Sequence, residues 1–273
     1  MNYTKELTIK NPKYQKFLRE FKKLYFETPD LTTKNVVKNH LVTAEITAKE
    51  PGLLAGREEI ESLFPNLQIK FHYKDGQTFA KNATIATIKD QSHKILQSER
   101  LILNILMRLS AIATQTNKLA KLAAPTKLAA TRKTQWHYLD KKAVAIGGGL
   151  THRLDLGHAI LIKENHLAHT TITKALEKAA KTKTAFIEIE VENEQQALEA
   201  SAHPKPITIM LDNFTPAQIK QTIPKIHPRH TIELSGGINA KNLHKYAKIG
   251  ANLISMSALT DGVKSLDMSM RIS

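Results

Sequence analysis

Five short apolar runs in the second half of the chain, AILIK, AFIEIEV, ITIMLD, TIELSGG and LISMS, are centred near residues 161, 188, 209, 232 and 255. Their spacing of about 21 to 27 residues is that of one strand plus one helix, and the stretches between them carry helix punctuation. Thr215 with Pro216 opens one such helix, and Asn239 opens another that ends at Gly250. Successive strand–helix units with right-handed crossovers build a parallel sheet, either open and doubly wound or closed into an α/β barrel. Polar residues recur where each run ends, which is where barrels gather their chemistry, so the barrel is the favoured reading. The preceding run, AVAIGGG, reads as a further strand.

The first third has a different pattern. Asn11 and Pro12 read as the N-cap and first turn of a helix with Tyr14, Phe17, Leu18, Phe21, Leu24 and Tyr25 on one face. That stripe is expected to pack on its own sheet rather than on a membrane. HLVTAEITAKEPG, LQIKFHYKDGQ and ATIATIKD alternate as strands between Pro-Gly and Asp-Gly turns, suggesting a small antiparallel sheet. Ser98 reads as the cap of a long helix, SERLILNILMRLSAIATQT, apolar on several sides. The expected domains are therefore 1–110, α/β; 111–262, the barrel; and 263–273, a tail returning to the first domain.

Zero cysteine removes disulfide and thiolate chemistry and fits a reducing, cytoplasmic setting. The longest apolar stretch, Leu101 to Ala113, is short and broken by Asn104, Arg108 and Ser110, so no membrane span is expected. With 40 Lys+Arg against 25 Asp+Glu the net charge is +15, which attracts anions. The lysines are scattered, with no basic block and no interleaved aromatics, so a nucleic-acid partner is not expected.

The ends of the runs bring together Gly147 to Gly149 leading to His152 and Arg153, then Lys163, Glu190, Asp212, and Ser235 to Gly237. Strand alternation puts Glu188, Glu190 and Glu192 on one face and Ile187, Ile189 and Val191 on the other. Three carboxylates turned toward a barrel mouth need cations nearby, and Lys163 and a magnesium ion, with Asp212 as a further ligand, suit that need. Ser235-Gly236-Gly237 would leave amides free beside a helix N-terminus, a favourable place for phosphate. In TRKT, Arg132 and Lys133 would point to opposite sides if the segment is extended. No Gly-x-Ser-x-Gly elbow, Walker loop, Gly-x-Gly-x-x-Gly fingerprint or HExxH motif is present.

In order, ERLILN, TRKT, GGGLTHRLDLGHAILIKENH, IEIEVE, LDN and ELSGGIN resemble the quinolinate phosphoribosyltransferases. PDLTT, AKEPGLLAG and KDG extend that likeness over nearly the whole chain. The resemblance implies an N-terminal α/β sandwich followed by an incomplete α/β barrel, assembled as a homodimer or larger. It implies conversion of quinolinate and phosphoribosyl pyrophosphate, with Mg²⁺, to nicotinate mononucleotide, pyrophosphate and CO₂. On that basis Arg132, His152, Arg153 and Lys163 would hold the dicarboxylate, joined by Arg100 of a second copy, while Lys133 would face the phosphoribosyl donor. Glu190 and Asp212 would bind ribose hydroxyls and magnesium, acting with Lys163 in catalysis. Ser235, Gly236, Gly237 and Ser257 would surround the 5′-phosphate.

The chain departs from that pattern at Gln135-Trp136, at Glu164, at Ser257 where glycine is common, and at Asp261 where histidine is frequent. Two other readings are a paralogue of the type associated with molybdenum transport, against which Lys163 argues, and a non-catalytic basic binding protein.

Overall fold

The computed structural model describes residues 1–273. The chain forms two compact units, each discontinuous in sequence. One contains residues 4–115, 138–147 and 262–273; the other contains 1–3, 116–137 and 148–261.

The first unit opens with α1 (Pro12–Lys23), capped by Asn11, whose Oδ1 accepts from the Lys13 amide at 2.9 Å. It continues through α2 (Leu31–Val36), β1 (Leu41–Ala48), β2 (Gly52–Leu53), α3 (Arg57–Leu63), β3 (Ile69–Phe71), β4 (Thr78–Phe79) and β5 (Thr84–Gln91). Next comes α4 (Ser92–Ala123), whose first part belongs to this unit. The helix starts six residues earlier than the sequence suggested. Ser98 lies inside it, its hydroxyl donating back to the carbonyls of Lys94 and Ile95. Such a back-bond satisfies a buried serine without ending the helix.

The sheet of this unit runs β12-β1-β5-β3 and is antiparallel, with β12 (Met268–Ile272) drawn from the end of the chain onto β1. Ala44, Ile46, Ala48, Ile85, Ala86 and Ile88 are fully buried in it. Tyr14, Leu18 and Phe21 are buried, α1 packs on α3, and the Phe17 ring meets Tyr138 edge-on at 5.2 Å. Leu24 and Tyr25, beyond the helix, are exposed.

Tyr138 belongs to α5 (Tyr138–Ile146), so the run read as a strand, AVAIGGG, is the end of a helix. Its short apolar stretch was compatible with either element, and the buried charges upstream decided for the helix. Asp140, fully buried, receives two hydrogen bonds from Arg108 of α4, at 2.8 and 2.7 Å. Lys142 is paired with Glu58 and Glu59 of α3, and Tyr14 donates to Glu59 Oε1 at 2.9 Å. These partners make helical periodicity at 140 and 142 compatible with burial.

The second unit is a six-stranded, all-parallel sheet with the order β6-β11-β10-β9-β8-β7. Its elements are β6 (Lys127–Ala130), β7 (Ile160–Ile162), α6 (Glu164–Leu167), α7 (Ile172–Ala179), β8 (Ile187–Val191), α8 (Glu194–Ser201), β9 (Thr208–Asp212), α9 (Pro216–Thr222), β10 (Thr231–Ser235), α10 (Leu243–Tyr246) and β11 (Leu253–Met256). All five periodic runs are strands. The ring is not closed: β6 and β7 are the end strands, and Leu150 adds one parallel bridge to Ala129 on the β6 side. Helix starts follow local chemistry, Asn193 accepting from Gln196 at 3.0 Å and Thr215 forming a reciprocal cap with Gln218. On α7 the buried residues are Ile172, Ala175, Leu176 and Ala179, a single helical face. No helix is long and apolar enough to cross a membrane.

The Arg108–Asp140 pair yields a stability prediction. Arg108→Ala leaves a carboxylate buried without its main partner and is expected to lower unfolding free energy by about 3–5 kcal/mol. Replacing both by Met and Leu is expected to lose much less, as measured by urea unfolding.

Candidate active site

Parallel register sets the site. Glu190 lies opposite Met210 and Met210 opposite Glu233, while one alternation further on Asp212 lies opposite Ser235. All five side chains line one cavity of about 600 Å³ at the C-terminal ends of the strands. Lys163, immediately after β7, joins them, as do Arg132 and Lys133 after β6. His152 and Arg153 arrive on a segment laced to β6: Leu150 N–H donates to Leu128 at 2.7 Å, and Ala130 N–H donates to the Leu150 carbonyl at 2.9 Å.

Gly236, Gly237 and Ser257 also line it, so of the residues to which the resemblance assigns a role only Arg100 is elsewhere, exposed on α4. Asp261 is exposed and does not line the cavity. Three details differ from expectation. The TRKT segment is turned rather than extended, with Lys133 N–H on Thr131 Oγ1 at 3.1 Å and Thr134 N–H on the Arg132 carbonyl at 3.1 Å. Arg132 and Lys133 consequently border the same cavity. Glu192 lies past the end of β8 and is exposed, its amide taken by Gln196 Oε1, so only Glu188 and Glu190 turn inward. No long helix follows Ser235-Gly236-Gly237, since α10 starts at Leu243 and has four residues. The glycine amides therefore act without a helix dipole.

The glycine turn is locked to the turn after β9. Gly236 has φ +92°, and a Cβ there would lie 2.2 Å from Asn213 Oδ1 and 2.6 Å from Asn213 N. Asn213 is itself left-handed at φ +58°, and its amide donates to the Ser235 carbonyl at 3.0 Å. Its side chain donates to Asp212 Oδ2 at 2.6 Å. Only glycine fits between these groups. The amides of Gly236 and Gly237, which line the cavity, donate to no group of the protein.

Charge is concentrated here. Burial pushes the Arg153 pKa down, and the neighbouring Arg132, itself exposed, pushes in the same direction. Glu190 is pushed up, first by burial and also by Asp212 and Glu164, although Lys163 makes a short ion pair with it and opposes the rise. Burial disfavours charge on His152, yet Glu188 and Glu233 outweigh it and carry the imidazole pKa up to about 9. Burial and Glu233 raise Glu188 to about 7. Glu233 was missed from sequence. The available signal was its place two residues before Ser235, on the same face of β10.

An open parallel α/β barrel with a cationic cavity and a free-amide glycine turn at its strand ends defines a class of anion-handling enzyme. The quinolinate phosphoribosyl transferase family models match the chain, the N-terminal domain over residues 30–110 and the C-terminal domain over 112–271. The chain belongs to this family. It is 38% identical over 261 residues to the probable nicotinate-nucleotide pyrophosphorylase [carboxylating] of Methanocaldococcus jannaschii, covering 89% of this chain and 91% of that one. Its identity to the Bacillus subtilis protein of the same description is 37%, over 90% of this chain and 88% of the relative. Among solved structures, the nicotinate-nucleotide pyrophosphorylase from Francisella tularensis superposes with a TM-score of 0.81 at 34% identity, covering 95% of each chain. NadC from Streptococcus pyogenes gives 0.85 at 28% identity, covering 96% of this chain and 98% of that one.

The interlocked turns predict the effect of Gly236→Ala. The added methyl must displace Asn213, and with it Asp212. Turnover is expected to fall at least tenfold, with a stability loss of about 1–3 kcal/mol from the φ penalty and local overpacking, as read by steady-state kinetics and urea unfolding.

Proposed function

We propose that this chain joins quinolinate to phosphoribosyl pyrophosphate with loss of CO₂, giving nicotinate mononucleotide and pyrophosphate in NAD biosynthesis. The observation that carries the reading is the cluster of Arg132, Arg153 and Lys163 around one cavity, a set of cations suited to a pyridine dicarboxylate. Charge-assisted contacts from a rigid guanidinium fork suit a planar carboxylate.

The chemistry asks three things of the protein. Departure of pyrophosphate leaves positive charge on the ribose ring, and Glu190 and Asp212 are placed to stabilise it electrostatically. The pyridine nitrogen then bonds to the anomeric carbon. Once that nitrogen is quaternary, the C–CO₂ bond breaks and its electron pair stays on the ring carbon beside the positive nitrogen, to be taken up by a proton. Arg132, Arg153 and Lys163 hold the ring in register through these steps, and the Gly236 and Gly237 amides hold the 5′-phosphate. Lys133, which lines the same cavity, is assigned to the phosphoribosyl donor.

Glu190 and Asp212 also fit a divalent cation: they are hard oxygen donors lining one cavity, and Asp212 adds to the rise that burial gives the Glu190 pKa. They would hold Mg²⁺, which supplies charge neutralisation for the pyrophosphate group. The proposed assembly is a homodimer or larger, with Arg100 of one copy serving the other's cavity, and the proposed setting is cytoplasmic.

Purified protein supplied with quinolinate, phosphoribosyl pyrophosphate and Mg²⁺ is expected to form nicotinate mononucleotide and release CO₂; nicotinate in place of quinolinate is expected to give none. Product from nicotinate alone would overturn the acceptor assignment. Lys163→Ala or Arg132→Ala is expected to lower turnover about a hundredfold or more, comparable with losing an oxyanion donor. Chelation by EDTA should abolish activity, and added Mg²⁺ should restore it.

A further inference from the structure

The pairing of β6 with β11 ends where Ala130 lies opposite Met256. The cavity-lining residues that follow, Arg132 and Lys133 on one side and Ser257 on the other, stand past the last rung of that ladder. There the Lys133 carbonyl receives no backbone amide. A side chain takes over: the Thr260 hydroxyl donates to it at 2.7 Å, across 127 positions of sequence. Thr260 is fully buried and does not itself line the cavity.

A hydroxyl has one proton to give, and a second carbonyl, that of Ser257, lies at 3.4 Å. The Ser257 carbonyl already accepts the Thr260 and Asp261 amides, at 3.0 and 2.7 Å, which close the turn after β11. The shorter contact takes the proton, so Thr260 joins the turn after β11 to the turn after β6. Lys133 is thereby bracketed by two threonine hydroxyls, its amide on Thr131 Oγ1 at 3.1 Å and its carbonyl on Thr260. Its side chain is exposed, so the backbone is the part that the fold can fix. Arg132 is held separately, its carbonyl accepting the Thr134 amide at 3.1 Å.

We propose that Thr260 is a positioning residue whose hydroxyl, acting through the Lys133 carbonyl, ties the turn after β6 to the rim of the cavity and so sets Lys133 for the phosphate groups of the phosphoribosyl donor. A threonine suits this place because its hydroxyl reaches a carbonyl that the ended ladder cannot serve, while its methyl group fills buried space. Without the hydroxyl, the β6 turn loses its link to the β11 turn and keeps only its local bonds, from Lys133 to Thr131 and from Thr134 to Arg132. The consequence for the donor rests on the function proposed above; the tie between the two turns does not.

The test compares Thr260→Val, which keeps the side chain's shape without the hydroxyl, with Thr260→Ser, which keeps the hydroxyl. Thr260→Val is expected to raise the KM for phosphoribosyl pyrophosphate about fivefold or more, the scale of one lost hydrogen bond, while the quinolinate KM moves less than about twofold. Thr260→Ser is expected to leave both near their wild-type values. In a Lys133→Ala background Thr260→Val should add less than about twofold, because residues acting through one another are not additive. Equal losses in both KM values, no rescue by serine, or an undiminished effect without Lys133 would each overturn the proposal. Trypsin reads the tie without any substrate, since the bond after Lys133 is the one whose carbonyl Thr260 holds. In brief digests of the native wild-type protein, followed by peptide mass analysis, that bond is expected to be cut about fivefold or more slowly than the bond after Lys183, exposed between α7 and β8. Thr260→Val is expected to remove the protection and Thr260→Ser to keep it; equal cutting at the two bonds in the wild-type protein refutes the tie. A wild-type protein inactive toward quinolinate and phosphoribosyl pyrophosphate, yet protected after Lys133 in this hydroxyl-dependent way, would overturn the substrate reading while leaving the tie in place.

Discussion

The in-register pairing of three parallel strands is the constraint from which the site follows. Alternation along β8, β9 and β10 means that Glu190, Met210 and Glu233 must share a face, with Asp212 and Ser235 one step further along it. A slip of one residue in any pair would put a carboxylate among the apolar side chains and an isoleucine in the cavity. Ile189, Val191, Ile209, Leu211 and Leu234, all essentially inaccessible to solvent, enforce the register from the opposite face. Hydrophobic burial, which has no chemical role in the site, thereby fixes the positions of the charged groups that do.

Placing so many ionisable groups together is tolerable only because each unit pairs them internally. Near the cavity, Glu188 and Glu233 face His152, and Lys163 faces Glu190. In the other unit, Arg108 grips Asp140, and Lys142 bridges Glu58 and Glu59. The two networks serve different ends. The second holds α5 in place, whereas in the first Arg132 bears on Arg153 with like charge. Cations gathered around one concave space are the electrostatic form of a binding site for an anion.

Much of this was legible in the residues. The five periodic runs became five parallel strands, the antiparallel sheet is built mainly from the first third, and of the residues to which the resemblance assigned a role all but Arg100 line one cavity. The errors share a physical origin. AVAIGGG was read as a strand because a short apolar run does not reveal its period, and the partners that bury Asp140 and Lys142 come from α3 and α4, remote in sequence. Ser98 was read as a cap because its back-bond into the helix is not visible in composition. Glu192 was placed inward because alternation was carried one residue beyond the end of β8.

Period and residue type along the chain determined which segments become parallel strands, where turns demand glycine, and which cations and carboxylates stand at the strand ends. Those are local properties, governed by alternation, capping and backbone sterics. The tertiary structure alone decided that Arg132 and Lys133 share a cavity, that Gly236 is closed against Asn213, and that His152 stands beside the buried Glu188 and Glu233. Each of these depends on a distance between groups brought together by folding, and such distances are set by how the sheet curls and which loop lies on which strand end.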